Sequence, residues 1–192
     1  VRPDSSIEKL AKLEPAFERP YGKVTPGNSS QITDGASWVI VASEKAVELH
    51  GLTPIARIVD SEWAALDPSI MGLGPVLAST PLAQRNQLGV GDIDLWEINE
   101  AFAAQVLSCL AAWQDEDFCR DVLGYDQAFG RIDRDRLNVD GGAISLGHPV
   151  GTSGNRIVLH LANALKARGA RRGIATECIG GGLGGAMLLE AA

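Results

Sequence analysis

Apolar positions become regular at Ala36 and stay regular to the end of the chain. Ala36–Ala42 is a nearly continuous apolar run that predicts a buried strand, and Ser43–Leu49 predicts a helix capped by Ser43 and stopped by Gly51. A strand is expected over Pro54–Ser61, then a helix with Thr80 as cap and Pro81 in its first turn. A third strand, Ile93–Ile98, runs into an apolar helix, Glu100–Trp113. Leu137–Val139 predicts a short strand. Ile157, Val158, Leu161 and Leu165 share one face of a helix over Thr152–Arg168. Gly173–Glu177 and Gly185–Glu190 read as two strands joined by Gly180–Gly184, short enough for an antiparallel pair.

From Pro54 onward the order is βαβαβαββ, which implies an α/β fold: a mostly parallel sheet with helices on its faces and one antiparallel edge. Residues 1–35 read as irregular apart from a short helix at Ser6–Leu13, ended before Pro15. Residues 114–136, rich in Asp and Glu, read as a surface insertion. The β-α unit at 36–50 has no strand of its own before it and is assigned to a second domain. Val1-Arg2-Pro3-Asp4 carries no initiator Met and runs straight into domain-like sequence, so the chain is expected to begin partway through a longer protein.

Composition narrows the function classes. The 192 residues are 45% hydrophobic and 21% charged, with a formal net charge of -7, which argues against a broad nucleic-acid surface. No apolar run approaches the roughly 18 residues of a membrane span. The basic cluster Lys166, Arg168, Arg171 and Arg172 ends a helical pattern, where positive charge complements the helix dipole. Three cysteines in no framework spacing point to a reducing compartment, and the cytoplasm is the expected one.

Three side chains stand where strands end, the place where α/β folds put their sites. His148, between Gly147 and Pro149 in a glycine-rich loop, is suited to take a proton from a thiol or to steady an oxyanion; the plainer alternative is a loop histidine bonded to nearby carbonyls. Cys178 is followed by Gly180, Gly181 and Gly182, whose N–H groups favour a thiolate; the plainer alternative is a small buried hydrophobe. Asn99 either caps the helix after it or holds a water or carbonyl oxygen. His50 at a helix end, His160 within a helix and Cys109 on an apolar helix read as structural, and Cys119 as incidental to the insertion.

Taken together, Asn99-Glu100-Ala101-Phe102-Ala103-Ala104-Gln105, Asn138-Val139-Asp140-Gly141-Gly142-Ala143-Ile144-Ser145-Leu146-Gly147-His148-Pro149 and Cys178-Ile179-Gly180-Gly181-Gly182 resemble the three C-terminal signatures of the thiolases. Gly27-Asn28-Ser29-Ser30 and Thr33-Asp34-Gly35 resemble the segment that closes that family's N-terminal domain. The resemblance implies that residues 1–50 are the tail of the loop region and the last β-α unit of the N-terminal domain. Residues 51–192 would then be the C-terminal domain, itself a βαβαβαββ unit.

The resemblance also implies an activity. Thiolases make or cleave the carbon–carbon bond of 3-ketoacyl-coenzyme A through an acyl thioester on a cysteine, with coenzyme A as substrate and no tightly bound cofactor. By matching position, His148 would activate the nucleophile, Cys178 would move the proton to or from the acetyl carbon, Asn99 would hold a water in one oxyanion hole, and the Gly180 N–H would serve the other. Ser30, Met71, Ala101 and Phe102 would line the pantetheine and acyl path.

Three departures accompany it. No segment resembles the surroundings of the nucleophilic cysteine, the residues that grip the nucleotide end of coenzyme A have no counterpart, and Glu177 stands where the family more often has an apolar residue. The chain is therefore expected to need an N-terminal thiolase half as partner and to form a homodimer or dimer of dimers when complete. The 114–136 insertion points to a fatty-acid or related acyl-chain degrader. The alternatives are a ketoacyl synthase of the same superfold, which would want a second histidine at position 178, and a non-catalytic lipid-binding or interaction module.

Overall fold

One four-stranded sheet organises the molecule, in the order β1-β4-β3-β2. Its strands are β1 (Ala56–Ala65), β2 (Leu95–Ile98), β3 (Arg172–Ile179) and β4 (Leu183–Ala191). The computed structural model describes residues 2–192; Val1, the first residue of the unusual start, lies outside the described residues. β2 and β3 pair in parallel, whereas β4 runs antiparallel to both β3 and β1. The mixed α/β class is the expected one, but parallel pairing within the sheet is confined to β2 and β3. The physical reason is the hairpin: Gly181 and Gly182, at φ 90° and 86°, reverse the chain between β3 and β4. β1 then adds beside β4 rather than beside β2.

Alternation along β2 sorts side chains to two cores. Trp96 and Ile98 join Val76, Leu82, Trp113, Ile174 and Leu188 on one side, covered by α3 (Gly74–Arg85), α4 (Ala103–Ala112) and α5 (Glu116–Leu123). Leu95 joins Ile157, Leu161, Leu165 and Leu189 on the other, under α7 (Ser153–Arg168). The apolar face read along α7 is the face it buries.

Four local expectations are corrected. Helix α3 begins at Gly74 with Pro75 in its first turn, so Thr80 and Pro81 lie inside it. Thr80 is fully buried because its hydroxyl accepts the Trp113 Nε1–H at 3.0 Å. Leu137–Val139 is not a strand but a single parallel bridge from Leu137 to Trp96. Asn138, at φ 46°, breaks the run, and its side-chain amide takes both the N–H and the C=O of Ile98 in place of a ladder.

Residues 114–136 are more than a surface insertion. Cys119, Phe129 and Ile132 are buried, and Phe129 packs its ring 6.3 Å from Trp96 and 6.2 Å from Trp113. Cys119 is thus a core residue rather than an incidental one. Finally, Ala36–Ala42 is irregular and not a strand, with Trp38 80% and Ile40 82% exposed. A strand needs a hydrogen-bonded neighbour, and none lies beside this segment among the described residues. The helix that follows, α2 (Glu44–His50), has the expected Ser43 cap and ends on Gly51 in the left-handed conformation. The early helix α1 is only Ile7–Leu10, capped by Ser6.

Candidate active site

The carboxyl ends of the parallel pair β2 and β3 bring two of the three motifs together. The Asn99 N–H bonds the Thr176 carbonyl at 3.0 Å, two residues before Cys178. Cys178 is paired with Gly184 and is 7% exposed. Burial pushes its thiol up to about 11, and the charge of Glu177 adds to that rise. Glu177 does not point to solvent. Alternation sends it to the α7 side, where its Oε1 lies 2.5 Å from the place a Cβ would occupy on Gly154. Burial raises its own pKa, against the nearby positive charge of Arg156. Gly180 opens the turn after β3 and has open space where a side chain would project.

Asn99 is not the cap of α4, which begins four residues later at Ala103 with Phe102 in the cap position. Asn99 is 1% exposed, and both Oδ1 and Nδ2 lack a hydrogen-bond partner among the described residues. A buried primary amide with no partner is costly and rare in a structural position. Of the two sequence alternatives, the capping one does not occur, because α4 begins at Ala103.

The glycine loop is built on Glu100. Its Oε1 accepts from Asn138 Nδ2 at 2.9 Å and its Oε2 from the Ile144 N–H at 3.2 Å. A side chain on Gly142 would collide with that carboxylate. The short helix α6 (Ala143–Leu146) follows, and Gly147 at φ 96° turns the chain with its Cα packed against Thr33. His148 then bonds by its N–H to the Gln31 carbonyl at 2.7 Å, and its ring Nδ1 lies 2.6 Å from Ser153 Oγ. Burial, and after it the positive charge of Arg156, holds the imidazole below its ordinary pKa, so the ring is neutral at pH 7.

One stretch, residues 28–32, stitches the motifs together. Ala103 N–H bonds the Asn28 carbonyl, Ser30 N–H bonds the Ala101 carbonyl, and Ile32 bridges to His148. Ser30, Ala101 and Phe102 therefore share one seam with His148. Met71 sits in a 3-10 helix, Pro68–Leu73, that lies across both the 180–184 turn and α4. Gly182 packs on Leu66 and Pro68, and the Cys109 thiol donates to the Gly72 carbonyl at 3.2 Å. The site so assembled offers a neutral imidazole, a buried thiol, an unpartnered amide and an open glycine turn, a set suited to moving protons and holding an oxyanion. Burial pushes the Cys109 thiol up to about 12, away from the thiolate.

Sequence reading missed Glu100, Asn138 and Ser153 as builders of this site. The left-handed Asn138 before a glycine pair is the one local signal that could have exposed them. His160 is not brought into the site; its ring lies between Glu97 and Asp140. Among the described residues no group of three or more His, Cys, Asp or Glu could hold a metal ion.

The family model for the thiolase C-terminal domain matches residues 52–191, and that for the thiolase N-terminal domain matches residues 1–45. The chain belongs to the thiolase family. It is 44% identical over 190 residues to a 3-ketoacyl-CoA thiolase of Marinobacter nauticus, covering 99% of this chain and 45% of the relative. It is 43% identical to the mitochondrial 3-ketoacyl-CoA thiolase of Homo sapiens, covering 99% and 43%. The crystal structure of the human mitochondrial enzyme in complex with CoA superposes with a TM-score of 0.86 at 43% identity, over 100% of this chain and 44% of that one. An acetyl-CoA acetyltransferase of Bacillus anthracis superposes at 0.85 with 42% identity, over 100% and 44%. This thiolase chain thus spans less than half the length of the relatives it matches.

Proposed function

We propose that this chain supplies the C-terminal half of a thiolase that transfers an acyl group to or from coenzyme A while making or breaking the carbon–carbon bond of a 3-ketoacyl-CoA. The observation that carries the reading is Asn99: a fully buried amide without a partner, at the strand end beside Cys178 and on the seam that holds His148. In this reading His148 activates the nucleophile, Cys178 exchanges the proton of the acetyl carbon, and Asn99 holds the water of one oxyanion hole. The Gly180 N–H serves the second hole, while Ser30, Met71, Ala101 and Phe102 line the pantetheine and acyl path. Coenzyme A is a substrate here, not a resident cofactor.

The nucleophile comes from an N-terminal thiolase half, since Cys109 and Cys119 are both buried core residues. Residues 1–50 form the end of that half and residues 51–192 the C-terminal domain, a division supported by the break between the two family matches. The exposed Trp38, Ile40 and Val41 support burial of this segment in the assembled enzyme, a homodimer or dimer of dimers. Its three free cysteines support a reducing compartment such as the cytoplasm. The test is reconstitution. Thiolysis of acetoacetyl-CoA is expected when the chain is co-expressed with a thiolase N-terminal half and not with the chain alone; turnover by the chain alone overturns the reading.

A further inference from the structure

Two charged side chains interact across the contact between β3 and α7, directly under the site and outside every role assigned so far. Alternation along β3 sets Cys178 on one face of the sheet and Glu177 on the other. Glu177 lies against the first turn of α7, with its Oε1 and Oε2 2.5 and 3.7 Å from the point a Cβ on Gly154 would occupy. Arg156 stands three residues beyond Ser153, whose Oγ is 2.6 Å from His148 Nδ1, and positions three apart share a helix face. Its Nε and Nη2 are buried without a hydrogen-bond partner among the described residues, and its charge favours the ionised form of Glu177. The other charges along this contact are already held. Glu97 has His160, Asp140 has His160 and Arg168, and Glu100 has Asn138 and the Ile144 N–H. Asp34, on the strip beside His148, is exposed. Arg156 and Glu177 are left to balance each other.

We infer that Arg156 and Glu177 are positioning residues that form an oriented charge pair between α7 and β3, its positive end toward the His148 imidazole and its negative end toward the Cys178 thiol. The two titrating groups agree with that orientation. Burial lowers the imidazole pKa and raises that of the thiol; the charge of Arg156 adds to the first shift and the charge of Glu177 to the second. A guanidinium with two nitrogens out of water is poorly screened, so its field reaches further than that of an exposed arginine. The apolar residue more common at 177 in the family would remove the negative end and leave Arg156 without a counter-charge, a costly state for a buried ion. The consequence for the chemistry deepens the thiolase reading and rests on it: the pair keeps His148 neutral and Cys178 protonated until the reaction draws on them.

The pair can be read without any catalysis. The chain is labelled with ring-13C histidine and titrated by NMR, with His148 assigned by loss of its signal in His148→Gln. In the unmutated chain the His148 midpoint is expected below the ordinary histidine value of about 6.5. A midpoint at or above it overturns the inference whether or not any variant folds. Arg156→Gln is expected to raise the midpoint, and Arg156→Lys, which keeps the charge, to leave it low. Glu177→Gln is expected to move the alkylation of Cys178 by iodoacetamide to lower pH without raising the His148 midpoint. A folded Arg156→Gln that loses stability but leaves His148 unmoved makes Arg156 structural and overturns the pair; so does a Glu177→Gln that raises the midpoint. In the reconstituted enzyme the acid limb of kcat/KM should move to higher pH in Arg156→Gln and be restored in Arg156→Lys. The expected midpoints in a chain that cannot be reconstituted to activity would uphold the pair and count against the thiolase reading alone.

Discussion

His160 holds the buried carboxyl group of Glu97 at 3.0 Å through its Nδ1, joining α7 to β2 directly beneath the strand end that carries Asn99. The other ring nitrogen lies 3.1 Å from Asp140, which Arg168 binds at 2.9 Å. These two carboxyl groups, Glu97 first, raise the His160 pKa above its ordinary value. Because the folded value is raised, this contribution to stability is full below the ordinary histidine range and is lost as pH rises through the raised value. Urea unfolding from pH 6 to 9 should therefore show a decline that His160→Gln abolishes. His160→Ala should cost about 3 kcal/mol near pH 6, since it strands a buried carboxyl group. A pH profile identical in His160→Gln would refute the assignment.

Cys178 should be slow to react. A thiol pushed up to about 11 by burial is almost wholly protonated at neutral pH. Alkylation of Cys178 by iodoacetamide, followed by mass spectrometry, is expected to accelerate only above about pH 10. Glu177→Gln removes the neighbouring negative charge and should move that rise to lower pH. Rapid labelling at pH 7 would contradict the burial that sets this value.

Asn99 offers a test in which activity and stability part company. Its amide has no partner to lose, so Asn99→Ala should change unfolding free energy by less than about 1 kcal/mol. In the reconstituted enzyme the same change should lower kcat by about 10²–10³, the usual loss for an oxyanion-hole donor. Large destabilisation with little kinetic effect would make Asn99 a structural residue.

The segment from 114 to 136 makes a different demand. Phe129→Ala should cost about 3–5 kcal/mol, because the ring fills the aromatic cluster with Trp96, Trp113 and Tyr125. Thermal denaturation reads this directly, and a near-neutral result would return the segment to the surface.

The parts of the fold with strong periodicity were legible in the sequence: α7 from its apolar stripe, the β3–β4 hairpin from its glycines, α2 from its two caps. What the sequence hid was set by tertiary contact. Thr80 and Pro81 look like a helix start, yet Thr80 is wanted deep inside α3 as an acceptor for Trp113. Acidic residues around Phe129 mask a core aromatic. Ala36–Ala42 has the composition of a strand but, among the described residues, no neighbour to pair with. At the site, the three chemical side chains were visible as motifs. Their supports, Glu100, Asn138 and Ser153, were not, because a long-range hydrogen bond such as Glu100 to Asn138 leaves no periodic trace.

The two walls of the site are not equally firm. Cys178 sits in an interior strand with a partner on each side, and its position is set by the whole sheet. His148 instead hangs on residues 31–37, through its bond to Gln31, the Thr152 hydroxyl on Gly35 and Asn155 on Ser37. Any force on that strip, such as a neighbouring polypeptide drawing Trp38 and Ile40 into its interior, would shift the imidazole while the thiol stayed still. The spacing between imidazole and thiol then becomes an adjustable distance, set from outside the sheet.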